Sequence, residues 1–300
     1  MKSTLCTTSR HFFPRYSLVA SLLTTISFSW SPVAIRHTTA PIFSNHHRER
    51  SFFLTNTQRN MATAATANTD NCPLESLGLP SPLILGSASF TRKLILKEMG
   101  VPYHIIIRPI DEKNLGDRSK DHPADLVFTL GKAKADHLVN EIKEGRCDDD
   151  LADGKPLGKA GCIVLTGDQV VTCAGKILEK PESIDEAKYF VSHYPETPPS
   201  TVGSCVLTHV PSGVQVSGVD TATVHFRNDF SGEQLVDELL QEDAPIMSCA
   251  GGLMVEHPKV KQNIDRIDGT EDSVMGLSKD LVLRLLKEMA EKLKEANALL

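Results

Sequence analysis

The seven cysteines of this 300-residue chain include no C-x-x-C pair and are odd in number. Neither a disulfide framework nor a cysteine zinc site is expected, and the thiols read as reduced and mostly buried. There is no G-x-S-x-G elbow to present a serine nucleophile, no H-E-x-x-H helix for a catalytic zinc, no P-loop and no D-x-D nucleophile motif around Asp168. The apolar run over residues 18–28 is broken by Ser and Thr and is too short to span a bilayer. Acids are nearly absent from residues 1–60, which hold Glu49 alone of the 38 Asp and Glu against 7 of the 32 Lys and Arg.

A basic, hydroxyl-rich, acid-poor beginning has the composition of an organelle transit peptide, for chloroplast or mitochondrion, with a secretory signal as the second reading. Met61 is an alternative start that would give a cytoplasmic form. Without the extension, 25 basic residues face 37 acidic ones, a formal charge of −12. Such a body repels nucleic acid and membrane surfaces, so neither is expected as a partner. To bind a polyphosphate it must gather its cations locally or recruit a divalent metal.

Residues 61–80, rich in Ala, Thr and Asn and then punctuated by Pro, suit a linker, with order beginning near Ser81. From there the pattern is mixed α/β. A strand over 83–87 leads to a helix over 90–99 that stops at Gly100, and a strand over 103–108 precedes a helix over 124–142. Residues 143–160 have no periodicity and read as an exposed loop insertion. The run Cys162-Ile163-Val164-Leu165 predicts a buried central strand ending at Gly167-Asp168-Gln169, with a short strand at 176–178. Ser183-x-x-Glu186 and Ser231-x-x-Gln234 are capping boxes for two helices. The intervening segments, 201–209 and 214–226, form a long antiparallel hairpin around Pro211-Ser212-Gly213. An irregular Gly-rich stretch then leads to a C-terminal helix from about Lys279, with Leu281, Leu285, Met289 and Leu293 in line.

The stretch Leu85-Gly86-Ser87-Ala88-Ser89-Phe90-Thr91-Arg92-Lys93 joins strand to helix through small residues, with two cations in the first helical turn. Small side chains let a ligand approach the backbone, and the N–H groups of the first turn favour an anion, most simply phosphate. The competing reading is an ordinary βα turn. Asp168 and the pair Asp111-Glu112 also follow strand ends, where ligand sites of open α/β sheets lie. Three carboxylates facing a phosphate cradle require a hard divalent cation, Mg²⁺ or Mn²⁺, between them. Against this, Asp168 also suits a cap or turn, and Asp111-Glu112 a solvated loop. Lys180, before Pro181, has the reach for a bridging phosphate oxygen or is a surface lysine. Lys132 and Lys134 read as solvated on their helix, and spacing gives Glu256 no role by itself.

Taken in order, Ser87-x-Ser89-x-x-Arg92-Lys93, Ile110-Asp111-Glu112, Lys132-Ala133, Thr166-Gly167-Asp168-Gln169-Val170, Lys180-Pro181, Val224-His225-Phe226-Arg227 and Ala250-Gly251 resemble the Maf-like nucleoside triphosphate pyrophosphatases over about residues 82–290. The resemblance implies an α/β fold with a mixed, strongly twisted sheet, flanking helices and a central cleft. It also implies a homodimer and metal-dependent hydrolysis of a nucleoside triphosphate to monophosphate and pyrophosphate. By position it makes Asp168 the general base and, with Glu112, a metal ligand. Lys180 would act in catalysis, and Ser87, Ser89, Arg92, Lys93 and Lys132 would bind substrate. Maf-like proteins are also linked to septum formation, so a non-catalytic regulator of division is the alternative from another class.

Three positions, Thr91, Gln169 and Glu256, bear on base specificity within that resemblance. The branch acting on dTTP and UTP usually has Thr where this chain has Gln169 and Gln where it has Glu256. Cys249-Ala250-Gly251 and Val224-His225-Phe226-Arg227 look like the 7-methyl-GTP branch. An ionised Glu only accepts hydrogen bonds, which suits the adjacent N1–H and N2–H₂ donors of guanine. The chain departs from that branch at Phe90-Thr91, usually Pro-Trp, and at Lys93, usually Arg. Its one tryptophan, Trp30, lies in the extension. A preference for dTTP, UTP or CTP is the rival within the family.

Overall fold

The structure, a computed structural model, describes residues 72–151 and 156–298. The extension over 1–60 and residues 61–71 of the expected linker lie outside the described residues. The first half of the described chain runs α1 (Pro73–Ser76), β1 (Leu83–Leu85), α2 (Phe90–Glu98), β2 (Tyr103–Ile105), α3 (Pro123–Lys143), α4 (Leu157–Ala160), β3 (Cys162–Thr166), β4 (Gln169–Cys173) and β5 (Lys176–Leu178). It continues with α5 (Ile184–His193), β6 (Ser200–Val210), β7 (Gln215–Phe226), α6 (Gly232–Gln241), α7 (Pro258–Gln262), β8 (Ile264–Asp268), α8 (Glu271–Met275) and α9 (Lys279–Ala298).

All eight strands join one mixed sheet in the order β2-β1-β3-β6-β4-β5, with β7 also paired to β6 and β8 to β7. β1 is parallel to β2 and to β3, and every other pairing is antiparallel. The spine is β6, whose one edge takes β3 and β4 end to end while its other edge takes β7. The sheet therefore curls into an open half-barrel with helices against it, as the fold expectation required. The expected hairpin is β6–β7, in register from Ser200↔Thr223 to Thr208↔Gln215.

β1 is apolar throughout, and β3 up to its last residue Thr166, because both faces are covered. Leu83, Leu85, Ile163 and Leu165 pack with Ile95 and Leu96 of α2 and with Leu281, Leu285 and Met289 of α9. Ile84, Cys162 and Val164 pack on the other face with Leu138, Val139 and Ile142 of α3. Full burial of such side chains is worth about 1.5–3 kcal/mol each, so the four-residue spacing on α9 is what seats that helix. Ser278 caps it, accepting from the Leu281 N–H at 3.3 Å. A third cluster joins Val191 and Tyr194, Leu235, Val236 and Leu239 of α6, and Val224 and Phe226 of β7. A cleft opens between this cluster and α2.

Three expectations need correction. Residues 72–80 are not the end of a linker: Cys72, Leu74 and Leu79 are buried in the cluster beneath α9. The segment expected as an exposed loop insertion is anchored by buried Cys147 and by Leu157 of α4. Strands β4 and β8 were not expected, and α7 and α8 fill the stretch read as irregular. Among the described residues no helix is long and apolar enough to cross a membrane. The six cysteines described are all free, five of them buried, as the absence of C-x-x-C pairs led one to expect.

Candidate active site

The cradle forms because β1 runs straight into it. The Gly86 N–H donates to the Leu165 carbonyl at 2.9 Å, extending the sheet by one residue. A Cβ there would sit 2.8 Å from Thr166 Cγ2 and 2.9 Å from Leu138 Cδ2, so any larger residue would have to push these two side chains aside. Ser87 Oγ accepts from the Ser89 N–H at 3.2 Å, and Ser89 Oγ accepts from the Arg92 N–H at 3.3 Å and lies 2.9 Å from Thr91 Oγ1. Two hydroxyls thus order the turn, while the first N–H groups of α2 have no acceptor within the helix. That is the geometry that takes an anion.

Arg92 is not the free phosphate cation the cradle suggested. Its side chain is only 8% exposed, with Nε donating to the Gly276 carbonyl at 3.0 Å and Nη1 to the Gly167 carbonyl at 2.8 Å. Burial lowers its pKa, opposed first by the Asp168 charge and then by Cys205 and Glu112. A guanidinium stays charged through such a shift. It therefore ties the start of α2 to Gly167 and to the end of α8 while keeping a positive charge beside Asp168.

Asp168 sits in a two-residue break in the sheet rather than at a free strand end. β3 pairs with β6 down to Thr166↔Val206 and β4 resumes at Gln169↔Gly203 in the same register. Within the break, the Ser204 N–H donates to the Asp168 carbonyl at 2.8 Å and the Asp168 N–H to Ser204 Oγ at 3.0 Å. Ser204 Oγ in turn donates to the Val127 carbonyl of α3 at 2.6 Å. Gly131 allows that approach, since a Cβ on it would lie 2.5 Å from Ser204 Oγ. With its backbone fixed, the Asp168 carboxylate, 13% exposed, lines the cleft.

The cation that meets it is Lys134. Its Nζ lies 2.7 Å from Asp168 Oδ1 and 3.1 Å from Glu112 Oε1. Lys132 and Lys134 both read as solvated, with Lys132 given a substrate-binding role by the resemblance; in the structure it is Lys134 that lies against the site carboxylates. Lys132 is 46% exposed and bonds Asp136 and Gln215 on the outer side of α3. The signal was helical phase: Lys134 stands four residues from Leu130 and from Leu138, both buried, whereas Lys132 points about half a turn away.

The opposite wall is built around Gly251 and Gly252, both at positive φ (71° and 72°). The Gly251 N–H donates to the Glu179 carbonyl at 3.0 Å, and the buried Tyr194 hydroxyl donates to the Gly251 carbonyl at 2.5 Å. These bonds hold Lys180, the next residue after Glu179, against the loop. Gln169 is fixed by Nε2 donating to the Val274 carbonyl at 3.1 Å. Burial pushes the Cys249 thiol up to about 11, reinforced by the Glu256 charge and opposed by that of Lys180. At pH 8 about one such thiol in a thousand is ionised. Iodoacetamide should therefore modify Cys249 slowly, with a rate still rising above pH 9, and a bound nucleoside triphosphate should slow it further. Mass spectrometry of the Cys249 peptide measures this, and a rate that levels off near pH 8 would contradict the environment described.

The cleft has a volume of about 680 Å³, within the range of small-molecule sites. Ser87, Ser89, Thr91, Arg92, Asp168, Gln169, Lys180 and Glu256 all line it, together with Val171, Val224, Phe226, Leu253 and Met254. Lys93 and Lys132 are not among the lining residues, and Glu112 joins only through Lys134. Phe90 lies on the lining and is 63% exposed. Among the described residues no three metal-ligating side chains gather. Asp168 and Glu112 nevertheless fit a hard divalent ion that keeps several waters and takes its remaining ligands from phosphates.

The sequence pattern of Maf-like proteins matches residues 82–289. The chain belongs to the Maf family. The Maf match starts one residue before β1 and ends within α9, so it contains every cleft residue named above. A Maf relative in Dictyostelium discoideum named 7-methyl-GTP pyrophosphatase is 33% identical over 210 residues, 70% of this chain and 98% of its own length. A dTTP/UTP pyrophosphatase of Salinibacter ruber is 25% identical over 222 residues, 74% of this chain and 98% of its own length. A nucleoside triphosphate pyrophosphatase of Chlamydia pneumoniae is 26% identical over 212 residues, 69% and 94% of the two chains.

Proposed function

We propose that this Maf protein is a nucleoside triphosphate pyrophosphatase that hydrolyses its substrate between the α- and β-phosphates, with 7-methyl-GTP preferred. The observation that carries the reaction is the fixed Asp168 carboxylate in a cleft shared with the α2 N-terminus and Lys180. The triphosphate lies along the first turn of α2, with Lys180 adding a point charge. The Asp168 carboxylate takes the proton of a water whose oxygen attacks the α-phosphorus. The α-phosphorus–oxygen bond breaks and its electron pair leaves with pyrophosphate. Asp168 and Glu112 would hold Mg²⁺ or Mn²⁺, which when bound neutralises phosphate charge. No covalent nucleophile is needed, since phosphoryl transfer rests on positioning and charge.

The base preference rests on Glu256, with the Dictyostelium relative in support. A carboxylate that only accepts hydrogen bonds matches two adjacent guanine donors and mismatches the mixed edge of uracil or thymine. The test is pyrophosphate release by the full chain with Mg²⁺ or Mn²⁺ over a panel of 7-methyl-GTP, GTP, dTTP, UTP and CTP. The expected result is a kcat/KM at least about tenfold higher for 7-methyl-GTP than for dTTP, with Glu256→Gln reducing that ratio about tenfold, the discrimination of one bidentate base contact. Faster turnover of dTTP overturns the preference. No hydrolysis of any member overturns the enzymatic reading in favour of nucleotide binding alone.

A further inference from the structure

Lys134 occupies the place where the metal is expected. Its ammonium lies 2.7 Å from an Asp168 oxygen and 3.1 Å from a Glu112 oxygen, two carboxylates from separate segments that have this one side chain in common. The side chain is 20% exposed, and its helix is pressed onto the sheet break by the Thr166 hydroxyl bond to the Gly131 carbonyl at 2.9 Å and by Ser204 to Val127. Unlike Lys132, which is 46% exposed, it is held beside Asp168 at the edge of the cleft.

We propose that Lys134 is the resident cation of the Asp168–Glu112 pair, keeping divalent metal out of the nucleotide-free cleft so that metal binds together with the triphosphate. This rests on the metal-dependent reading above. Four charges are in play: two carboxylates, one ammonium and the buried Arg92 guanidinium, which bonds the carbonyl of neighbouring Gly167. A divalent ion at the same oxygens must push the ammonium aside and then sit next to it, an unfavourable like-charge contact with no anion to absorb it. A triphosphate changes the balance. Its oxygens accept the displaced ammonium, so each ligand lowers the cost of binding the other, and the coupling is reciprocal. Lys134 is on this account a positioning residue, and its effect is on metal affinity rather than on any bond made or broken.

The measurement is Mn²⁺ binding by electron paramagnetic resonance, on the full chain without nucleotide and again with the α,β-methylene analogues of GTP and UTP. Without nucleotide, Lys134→Met should bind Mn²⁺ at least about tenfold more tightly than the unchanged protein, equivalent to about 1.4 kcal/mol. Lys134→Arg keeps the charge and should stay within about threefold of the unchanged protein. A purely structural lysine would not separate these two variants. Equal Mn²⁺ affinity of Lys134→Met and the unchanged protein overturns the resident-cation role and leaves the metal-dependent reading standing. If neither binds Mn²⁺ even with an analogue present, both fall.

Discussion

Asp168→Asn is expected to lower kcat about 1000-fold while changing nucleotide affinity by less than about threefold. The estimate follows from the role of the side chain, because a positioned general base contributes about 10²–10⁴-fold to a proton-transfer step and an amide cannot take that proton. The fold should survive the change. Asp168 is held through its backbone, by the bonds to Ser204 at 2.8 Å and 3.0 Å, and neither involves the carboxylate. Lys134 keeps Glu112 as a partner at 3.1 Å, so no cation is stranded. Binding should persist because the α2 turn, Lys180 and the apolar wall are untouched. Steady-state pyrophosphate release gives kcat, and calorimetry with an α,β-methylene analogue in the absence of divalent metal gives affinity. A kcat within fivefold of the unchanged protein would falsify the assignment, and a parallel collapse of affinity would make Asp168 a binding residue.

Helices were readable where a cap announced them. Ser183 accepts from the Glu186 N–H at 3.1 Å, and Glu186 returns to the chain at the Glu182 N–H, one residue earlier than a capping box requires. Ser231 caps α6 in the same way, but Gln234 turns along the helix to Glu238. The missed strands lacked any local sign. Ile264-Asp265-Arg266-Ile267-Asp268 alternates poorly and is largely exposed, because β8 is an edge held only by β7. β4 was hidden by the Gly167-Asp168 pair, which reads as a terminator although the chain continues along β6 without a change of register.

The same division holds in the cleft. Ser87, Ser89, Asp168 and Lys180 were visible because each sits at a junction between elements, where small or charged residues interrupt an apolar pattern. Lys134 was not, since a lysine inside a helix is normally solvated and only the phase of Leu130 and Leu138 distinguishes it from Lys132. Nor were the partners of Arg92, because the Gly276 carbonyl is 184 positions away in sequence and no spacing rule reaches that far. Local chemistry thus pointed to the cleft, and long-range packing decided which cations lie beside its carboxylate.

Gly167→Ala, in the sheet break beside the cleft, should destabilise the fold by about 3 kcal/mol. A Cβ at Gly167 would lie 2.1 Å from the Ser204 carbonyl oxygen and 3.1 Å from its carbon. Both are backbone atoms, so no rotamer relieves the contact and the break must part from β6. Parting strains the Ser204–Asp168 bond at 2.8 Å and pulls on Arg92, whose Nη1 bonds the Gly167 carbonyl at 2.8 Å. For a domain of this size the loss corresponds to a fall in Tm of about 6–12 °C. Gly203→Ala is the matched comparison, because that residue faces the same break from β6, yet its Cβ would meet nothing nearer than the Asp168 carbonyl oxygen at 3.9 Å. It should shift Tm by no more than about 2 °C. Thermal unfolding followed by circular dichroism ranks the two variants. If both melt alike, the fit around Gly167 is looser than these distances require, and the rigidity of Asp168 must come from α3 instead.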